Sequence, residues 1–451
     1  MNQLLTLGTT LQSQSPGPAI AVERFLGSGG QGEVYAVSVH GQPMALKWFF
    51  PHYLRQDPRL RERLERAVQS GPPSDRFLWP LELVEADGVP GFGYLMPLRE
   101  ERFRGMVDLV TRRVTPSLWV LATIGFELAH SYLQLHARGL CYRDISFGNV
   151  FFDPATGETR ICDNDNVDID GQAGAIGGTP RFMAPELVRG EATPSTATDL
   201  FSLAVLLFYL LMNHHPLEGR QEAALHCFDL PAMTRLYGTH PVFIFDPADE
   251  SNRPLPGYHD NALAFWPIYP QFLRDLFTRA FTDGIRDPDH GRVRESEWRA
   301  ALVRLRDAIF PCSHCGAENF YDGRRLQGAG AGVCWSCGQG LRLPPRIRIG
   351  GPRPAAGGGM ATVVLNHNTR LFPHHVDPER AFDFQDPVAA VVQHPQDPRI
   401  WGLRNLGTEP WVATTAAGAV HPVPPGRSIT LAEGTRIHFG ACEGTIRLAH
   451  G

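Results

Sequence analysis

Nowhere in these 451 residues does an apolar run last long enough to cross a bilayer. The most apolar stretch, LFSLAVLLFYLLM at Leu200–Met212, falls short of the roughly 20 residues a spanning helix needs, and predicts a buried helix instead. The start, MNQLLTLGTTLQSQSPGPAI, lacks the basic first residues and apolar core of an export signal. Export and a membrane partner are therefore not expected, and the chain is placed in the cytoplasm. Neither sign of charge is in large excess: the net charge of -5 argues against a general nucleic-acid binder, because such proteins carry a strong positive field. Cysteine is sparse, and four of the eight stand in two CxxC pairs. That usage excludes a disulfide framework and points to a reducing compartment with a metal site. No internal repeat is visible.

What is present is an ordinary globular composition, 43% hydrophobic and 20% charged, in a chain too long for one core and sufficient for about two to four domains. The expected class is multidomain α+β. Residues 1–20 read as an N-terminal extension. Residues 21–98 are strand-rich, with RFLGSGGQGEVYAVSV and PMALKWFF joined by the turn HGQ, followed by a helix over Leu60–Gln69. Residues 99–310 are mainly helical. A long helix over Pro116–Ala137 opens with a Thr-Pro start, and helical patterns from Ser195 to Ile309 are interrupted by the proline-rich GTHPVFIFDPADESNRPLPG. The cysteine pairs occupy 311–342. Residues 343–360, which include GPRPAAGGG, read as a linker or loop, and 361–451 as an all-β domain of short apolar runs.

The chemistry begins with GSGGQGEV, where Gly27, Gly29 and Gly32 give GxGxxG after a strand. A backbone free of side chains lies close over phosphate oxygens, and Lys47 of MALKWF supplies a counter-charge. Further on stand YRDISFGNV (Tyr142–Val150), ICDND (Ile161–Asp165), GGTPRFMAPE (Gly177–Glu186), TDLFSLAVLLF (Thr198–Phe208) and DPDHGRVRESEW (Asp287–Trp298). In this order the motifs resemble the bilobal fold of bacterial eukaryotic-like, Hanks-type Ser/Thr protein kinases, over about residues 21–310. The resemblance implies ATP as phosphoryl donor and Mg²⁺ or Mn²⁺ as cofactor. It assigns Asp144 as base, Asn149 and Asp163 as metal ligands, and Gly27, Gly29, Gly32 and Lys47 as nucleotide contacts. Asp199 then braces the catalytic loop, Arg292 pairs with Glu186, and Met96 of GYLMPL stands at the hinge behind the adenine. Lys47 also needs a carboxylate from the first helix. RLRERLERAV offers Glu62 and Glu65, and Glu65 is preferred because Val68 then turns inward beside it.

Several positions depart from the family pattern. Tyr142 replaces its usual His, and Ser146 stands where a Lys usually touches the transferring group. Asn164 and Asp165 replace the Phe and Gly of DFG, bringing an extra carboxylate toward the metal. Because the charged groups for metal and nucleotide are all kept, the reading is a divergent Ser/Thr kinase acting on a protein substrate. The alternative is a pseudokinase scaffold that binds nucleotide and partners without efficient transfer. Between Asp163 and Glu186 the sole hydroxyl residue is Thr179, and Asp165, Asp168 and Asp170 offer Arg143 a built-in anion in place of a segment phosphate.

The pairs CSHC (Cys312, Cys315) and CWSC (Cys334, Cys337) suit a four-cysteine zinc ribbon holding one Zn²⁺ with no open position. His314 between two ligands is expected to face solvent, and His367, His374 and His375 to lie in surface loops. The segment WGLRNLGTEPW onward resembles forkhead-associated domains, small β-sandwiches that read phosphothreonine, but without counterparts for that family's phosphate-holding Arg and Ser. The whole arrangement is similar to kinases of bacterial tellurite-resistance-associated systems. That resemblance implies a PP2C-type phosphatase and a von Willebrand factor A-domain protein as partners.

Overall fold

The computed structural model describes residues 3–6, 8–13, 20–171, 178–323, 332–350 and 361–448. Contacts divide the chain into two units, one drawn from Met1–Pro116, Thr123–Phe265 and Asp275–Arg299, the other from Ser117–Ala122, Trp266–Arg274 and Ala300–Gly451.

The first unit opens with six strands, β1 (Thr10–Ser13), β2 (Ile20–Ser28), β3 (Gly32–Val39), β4 (Gln42–Phe49), β5 (Glu82–Glu85) and β6 (Gly93–Pro97). They close into a barrel in the order β1-β2-β3-β4-β6-β5. The two faces of β4 serve different cores. Leu46 and Trp48 fill the barrel with Leu11, Val22, Tyr35, Val37 and Leu95. Ala45 and Phe49 instead pack with Tyr94, Met96, Leu60 and Leu64. Lys47 shares their parity, and strand alternation turns it to that side. The described part of residues 1–20 is more than an extension: β1 pairs with both β2 and β5, and Leu5 and Leu11 are fully buried. The strand TLQS carries one apolar residue, too few for an alternating pattern to betray it.

Helices α1 (Pro51–Gln56) and α2 (Leu60–Ser70) follow β4, and α2 stops at Gly71, whose φ is 67°. The inward stripe of α2 is Leu60, Arg63 and Leu64, which leaves Glu62 and Glu65 on its flanks. Next come β7 (Arg104–Gly105), α3 (Met106–Val110), α4 (Leu118–His136), β8 (Leu140–Cys141), β9 (Val150–Phe152), β10 (Thr159–Ile161) and β11 (Asp168–Ile169). α5 (Pro185–Val188) and α6 (Thr196–Met212) complete the frame around the site. α6 starts in a capping box between Ser195 and Thr198, and is buried at every position from Phe201 to Met212. A helix apolar all round forms the centre of its unit, as the Leu200–Met212 run predicts. Among the described residues no helix is long and apolar enough to cross a membrane.

In the second unit a hairpin, β12 (Ile309–Pro311) and β13 (Glu318–Phe320), adjoins the cysteines. Ten strands follow: β14 (Arg346–Gly350), β15 (Ala361–Val364), β16 (Arg370–Leu371), β17 (Ala389–Gln393), β18 (Trp401–Asn405), β19 (Trp411–Thr414), β20 (Val420–Val423), β21 (Ser428–Thr430), β22 (Arg436–His438) and β23 (Glu443–Arg447). They form one sheet ordered β15-β14-β23-β22-β19-β20 and another ordered β16-β17-β18-β21. One core joins the two, with Ile347, Val363, Trp411, Ile437 and Ile446 from the first sheet and Leu371, Ala389, Val391 and Leu403 from the second. Two sheets sharing a core make a sandwich. The reading of 343–360 as a linker is corrected: β14 is an inner strand paired on both sides, while 351–360, with GPRPAAGGG, lies outside the described residues. His375 is buried, not in a surface loop, and its Nε2 meets Asp307 at 3.2 Å.

Candidate active site and metal centre

The glycine-rich turn between β2 and β3 contains two kinds of glycine. A Cβ on Gly32 would lie 2.1 Å from the Trp48 carbonyl oxygen, so the pairing of β3 with β4 demands glycine there. At Gly27 and Gly29 an added Cβ meets nothing within 4 Å. The fold does not need those two bare, and the open space above them suits a ligand that approaches the backbone closely.

Below this turn Lys47 is buried and its ammonium is fully engaged. It donates to Asp165 Oδ1 at 2.9 Å and Oδ2 at 3.1 Å, to Gln31 Oε1 at 2.6 Å and to Asp163 Oδ1 at 3.4 Å. Burial alone would depress its pKa, but the carboxylates of Asp165 and Asp163 outweigh this and hold it above the ordinary value. Glu65 and Glu62 do not reach Lys47 among the described residues. The inward position on α2 belongs to Arg63, which forks onto Asp57 at 3.3 and 2.7 Å and donates to the Asp165 carbonyl at 3.2 Å. The helix-carboxylate expectation is therefore corrected to Asp165, which also accepts the Tyr94 hydroxyl at 2.9 Å. The extra carboxylate of the loop pairs with the lysine.

Asp163 sits in left-handed backbone geometry, with φ 51° and ψ 44°, at the entry to a 3-10 turn over Asn164–Asn166. That geometry leaves its side chain 41% exposed beside wholly buried Asp165. Its pKa is raised, first by desolvation and then, against the pull of Lys47, by the neighbouring carboxylates Asp165 and Asp144. Asn164, standing where the family has Phe, is buried and donates to the Leu78 and Ile161 carbonyls at 2.8 and 3.1 Å. Polar bonds here replace an apolar plug.

Asp144 lies across from Asp163. Its Oδ1 accepts the Thr179 amide at 3.0 Å and hydroxyl at 2.8 Å. Asn149 spends its amide nitrogen on Asp144, 2.8 Å from the carbonyl and 3.1 Å from Oδ2, which leaves its side-chain oxygen for a cation. That oxygen and the Asp163 carboxylate are hard donors, and they fit Mg²⁺ or Mn²⁺. Asp199, at the start of α6, accepts the Arg143 amide at 3.0 Å, His136 Nε2 at 3.1 Å and the Tyr142 amide. Tyr142 is buried, and its hydroxyl ties the loop to the Cys162 carbonyl. Arg292 makes a forked pair with Glu186 at 2.7 and 2.8 Å. Ser146 is buried beside the loop, and Met96 is buried on β6 opposite Ala45. A cavity of about 500 Å³, lined by Arg99, Phe103, Asp108, Phe147, Gly148 and Phe151, adjoins the loop.

One carboxylate reaches two arginines. Asp168 Oδ2 accepts Arg143 at 3.0 Å and its Oδ1 accepts Arg66 of α2 at 3.4 Å. Of the three aspartates the sequence offers to Arg143, Asp168 pairs with it. Residues 172–177 of the same segment lie outside the described residues.

Part of the chain that carries this geometry is similar to known proteins. Residues 99–256 match the family model described as protein kinase domain. The match holds Asp144, Asn149, Asp163, Thr179, Glu186 and Asp199, whereas Lys47 and the glycine-rich turn precede it. A probable serine/threonine-protein kinase of Corynebacterium efficiens is 26% identical over 44% of this chain and 32% of its own length. A putative ribosomal protein S6 kinase alpha-1 of Caenorhabditis elegans is 30% identical over 44% of this chain and 26% of its own. A serine/threonine-protein kinase of Myxococcus xanthus is 28% identical over 44% and 25%. The chain thus spans a third or less of the length of these relatives.

The cysteines converge within the second unit. Their four sulfurs lie within 4.8 Å of one another, with Cys312 and Cys337 at 3.8 Å and Cys315 and Cys334 at 3.7 Å. A tetrahedral zinc with bonds of about 2.3 Å spaces its thiolates roughly 3.8 Å apart, so the set fits. Each CxxC runs into a glycine with positive φ, Gly316 at 76° and Gly338 at 71°. Each turn is closed by the glycine amide on the first cysteine's carbonyl, at 2.9 Å in both. Burial opposes ionisation of Cys334, but the amides of Cys337 and Ser336 and the Asn319 side chain outweigh it and hold the thiol below its ordinary range. His314 is exposed. Among the described residues His367, His374 and His375 form no such cluster.

Proposed function

We propose that this chain transfers the γ-phosphoryl group of ATP to Ser or Thr of a protein substrate. The carrying observation is the convergence of Lys47, Asp163, Asn149 and Asp144 below a turn whose Gly27 and Gly29 are bare without structural need. In this reading Lys47 meets nucleotide phosphates, Asn149 and Asp163 hold Mg²⁺ or Mn²⁺, and Asp144 orients the acceptor hydroxyl. The metal supplies charge neutralisation on the phosphates; the chain positions the reactants. Thr179, bonded to Asp144, stands where an acceptor hydroxyl would compete for the same oxygen, which fits a Ser/Thr acceptor. The aromatic and charged wall of the cavity beside Phe147 receives the segment around that acceptor.

The second reading is a pseudokinase scaffold. The full engagement of Lys47 by Asp165, Asp163 and Gln31 favours it, as does Ser146 in place of a cation. Incubating the purified chain with labelled ATP, Mg²⁺ or Mn²⁺ and a generic Ser/Thr substrate separates the two. Transfer that disappears in Asp144→Asn supports the kinase, and nucleotide binding without transfer supports the scaffold.

The remaining assignments belong to the same proposal. The four thiolates hold one structural Zn²⁺. The C-terminal sandwich is a degenerate forkhead-associated-like module that docks a partner. The setting is cytoplasmic bacterial signalling of the tellurite-resistance-associated kind, with a PP2C-type phosphatase and a von Willebrand factor A-domain protein as partners.

A further inference from the structure

We propose that Asp165 is the residue that positions Lys47 for the nucleotide, acting from the floor of the cleft in the place where a helix carboxylate is expected. The inference rests on the kinase reading above. Its ground is the difference between the partners of the ammonium. Asp165 is fixed: its side chain has no exposure, both oxygens face Lys47, and Tyr94 from β6 donates to one of them. Its carbonyl is held by Arg63 of α2, which Asp57 locks in turn. β4 and β6 therefore meet at the carboxylate of this one residue, and α2 holds its backbone.

Gln31 is the opposite case. It is a neutral amide on the glycine-rich turn, half-buried, with its nitrogen on Asn166 Oδ1 at 3.1 Å. A phosphate oxygen makes a charge-assisted bond to an ammonium, roughly twice as strong as a bond to a neutral acceptor, so it displaces Gln31. It does not displace a buried carboxylate, because that would leave the Asp165 charge unpaired in the interior. Asp163, more distant at 3.4 Å, is the partner that turns to the metal. Lys47 thus exchanges one contact and loosens a second while Asp165 keeps its aim constant. Because Asp165 and Asp163 stand on one turn, the lysine and the metal ligand are held by a single short piece of backbone.

The test uses the full chain with Asp165→Asn, which keeps size and backbone contacts and removes the charge, and with Tyr94→Phe, which removes one brace. Three quantities are measured: KM and kcat for MgATP, MgATP affinity by calorimetry, and labelling of Lys47 by an acyl-phosphate derivative of ATP. Asp165→Asn is expected to raise KM and the dissociation constant at least about tenfold, with kcat changed less, and to lower labelling in proportion. Tyr94→Phe is expected to move KM the same way by about two- to fivefold, since it removes one hydrogen bond. If Asp165→Asn does not fold, Tyr94→Phe carries the test, and wild-type KM and labelling in that variant overturn the inference. A folded Asp165→Asn with wild-type KM and labelling overturns the inference, and so does one that binds MgATP more tightly, which would make Asp165 a competitor of the nucleotide. A wild-type chain that neither binds nor turns over MgATP overturns the kinase reading itself.

Discussion

A single atom decides much at the residue scale. Asp144 presents one carboxylate oxygen to Thr179 and the other to Asn149. Asp144→Asn is expected to lower kcat by roughly 10²- to 10⁴-fold while nucleotide affinity stays near wild type, as loss of a positioned base does; initial rates and calorimetry on one preparation check both. Two glycines of one turn are expected to behave differently. Gly32→Ala forces a Cβ against the Trp48 carbonyl and lowers the melting midpoint. Gly29→Ala meets open space, so it melts as wild type but binds MgATP less tightly. The motif spacing singled out Asp144, Asn149, Asp163 and Lys47, and the structure brings Lys47 to Asp163 and Asn149 to Asp144, because each lies in a short, locally ordered stretch; their roles remain those proposed above. The partner of Lys47 was not legible. Glu65 and Asp165 are both acidic and both near in the expected fold, and only the rotation of α2, which turns Arg63 inward, separates them.

Between elements, the buried His136 joins α4 to Asp199 of α6 and to Glu295. Burial alone would lower its pKa, but hydrogen bonds to Asp199 and Glu295 prevail and raise it from 6.5 to about 9. The charged imidazole therefore stabilises the fold fully below pH 6.5, and this contribution is lost as the pH rises through about 9, to the extent of roughly 3 kcal/mol. Denaturant midpoints at pH 6 and 9.5 are expected to differ in the wild type and to differ less in His136→Gln. The cysteine turns carry a second expectation: about one zinc per chain by metal analysis, and a ribbon destabilised by Cys334→Ser with Cys337→Ser while the kinase motifs keep their nucleotide affinity. Long or strongly patterned elements, α2, α4 and α6, were readable from their sequences. β1 and β14 were not, since TLQS has one apolar residue and RIRIG stands next to a glycine- and proline-rich run; pairing with distant strands makes them.

Across the whole molecule, the two units answer different questions. On the sandwich, the arginines Arg380, Arg399, Arg436 and Arg447 are each matched to a carboxylate, Asp383, Asp397, Glu443 and Glu433. Because the sequence offers no counterpart to the Arg and Ser that hold phosphate in forkhead-associated domains, a phosphothreonine peptide library is expected to yield no micromolar ligand that depends on the phosphate. Asp168 gathers Arg143 and Arg66, so a phosphatase-treated chain, checked by mass spectrometry, is expected to show full initial rates without a lag. A lag removed by phosphorylation of Thr179 would contradict this, because that hydroxyl is bonded to Asp144. The clamp has a consequence for how a message ends. An anion written into the gene cannot be hydrolysed away, so the chain has no chemical eraser for this contact, and under the proposed transfer reaction the message would end at the marked substrates, where the phosphate is stripped, and not at this segment.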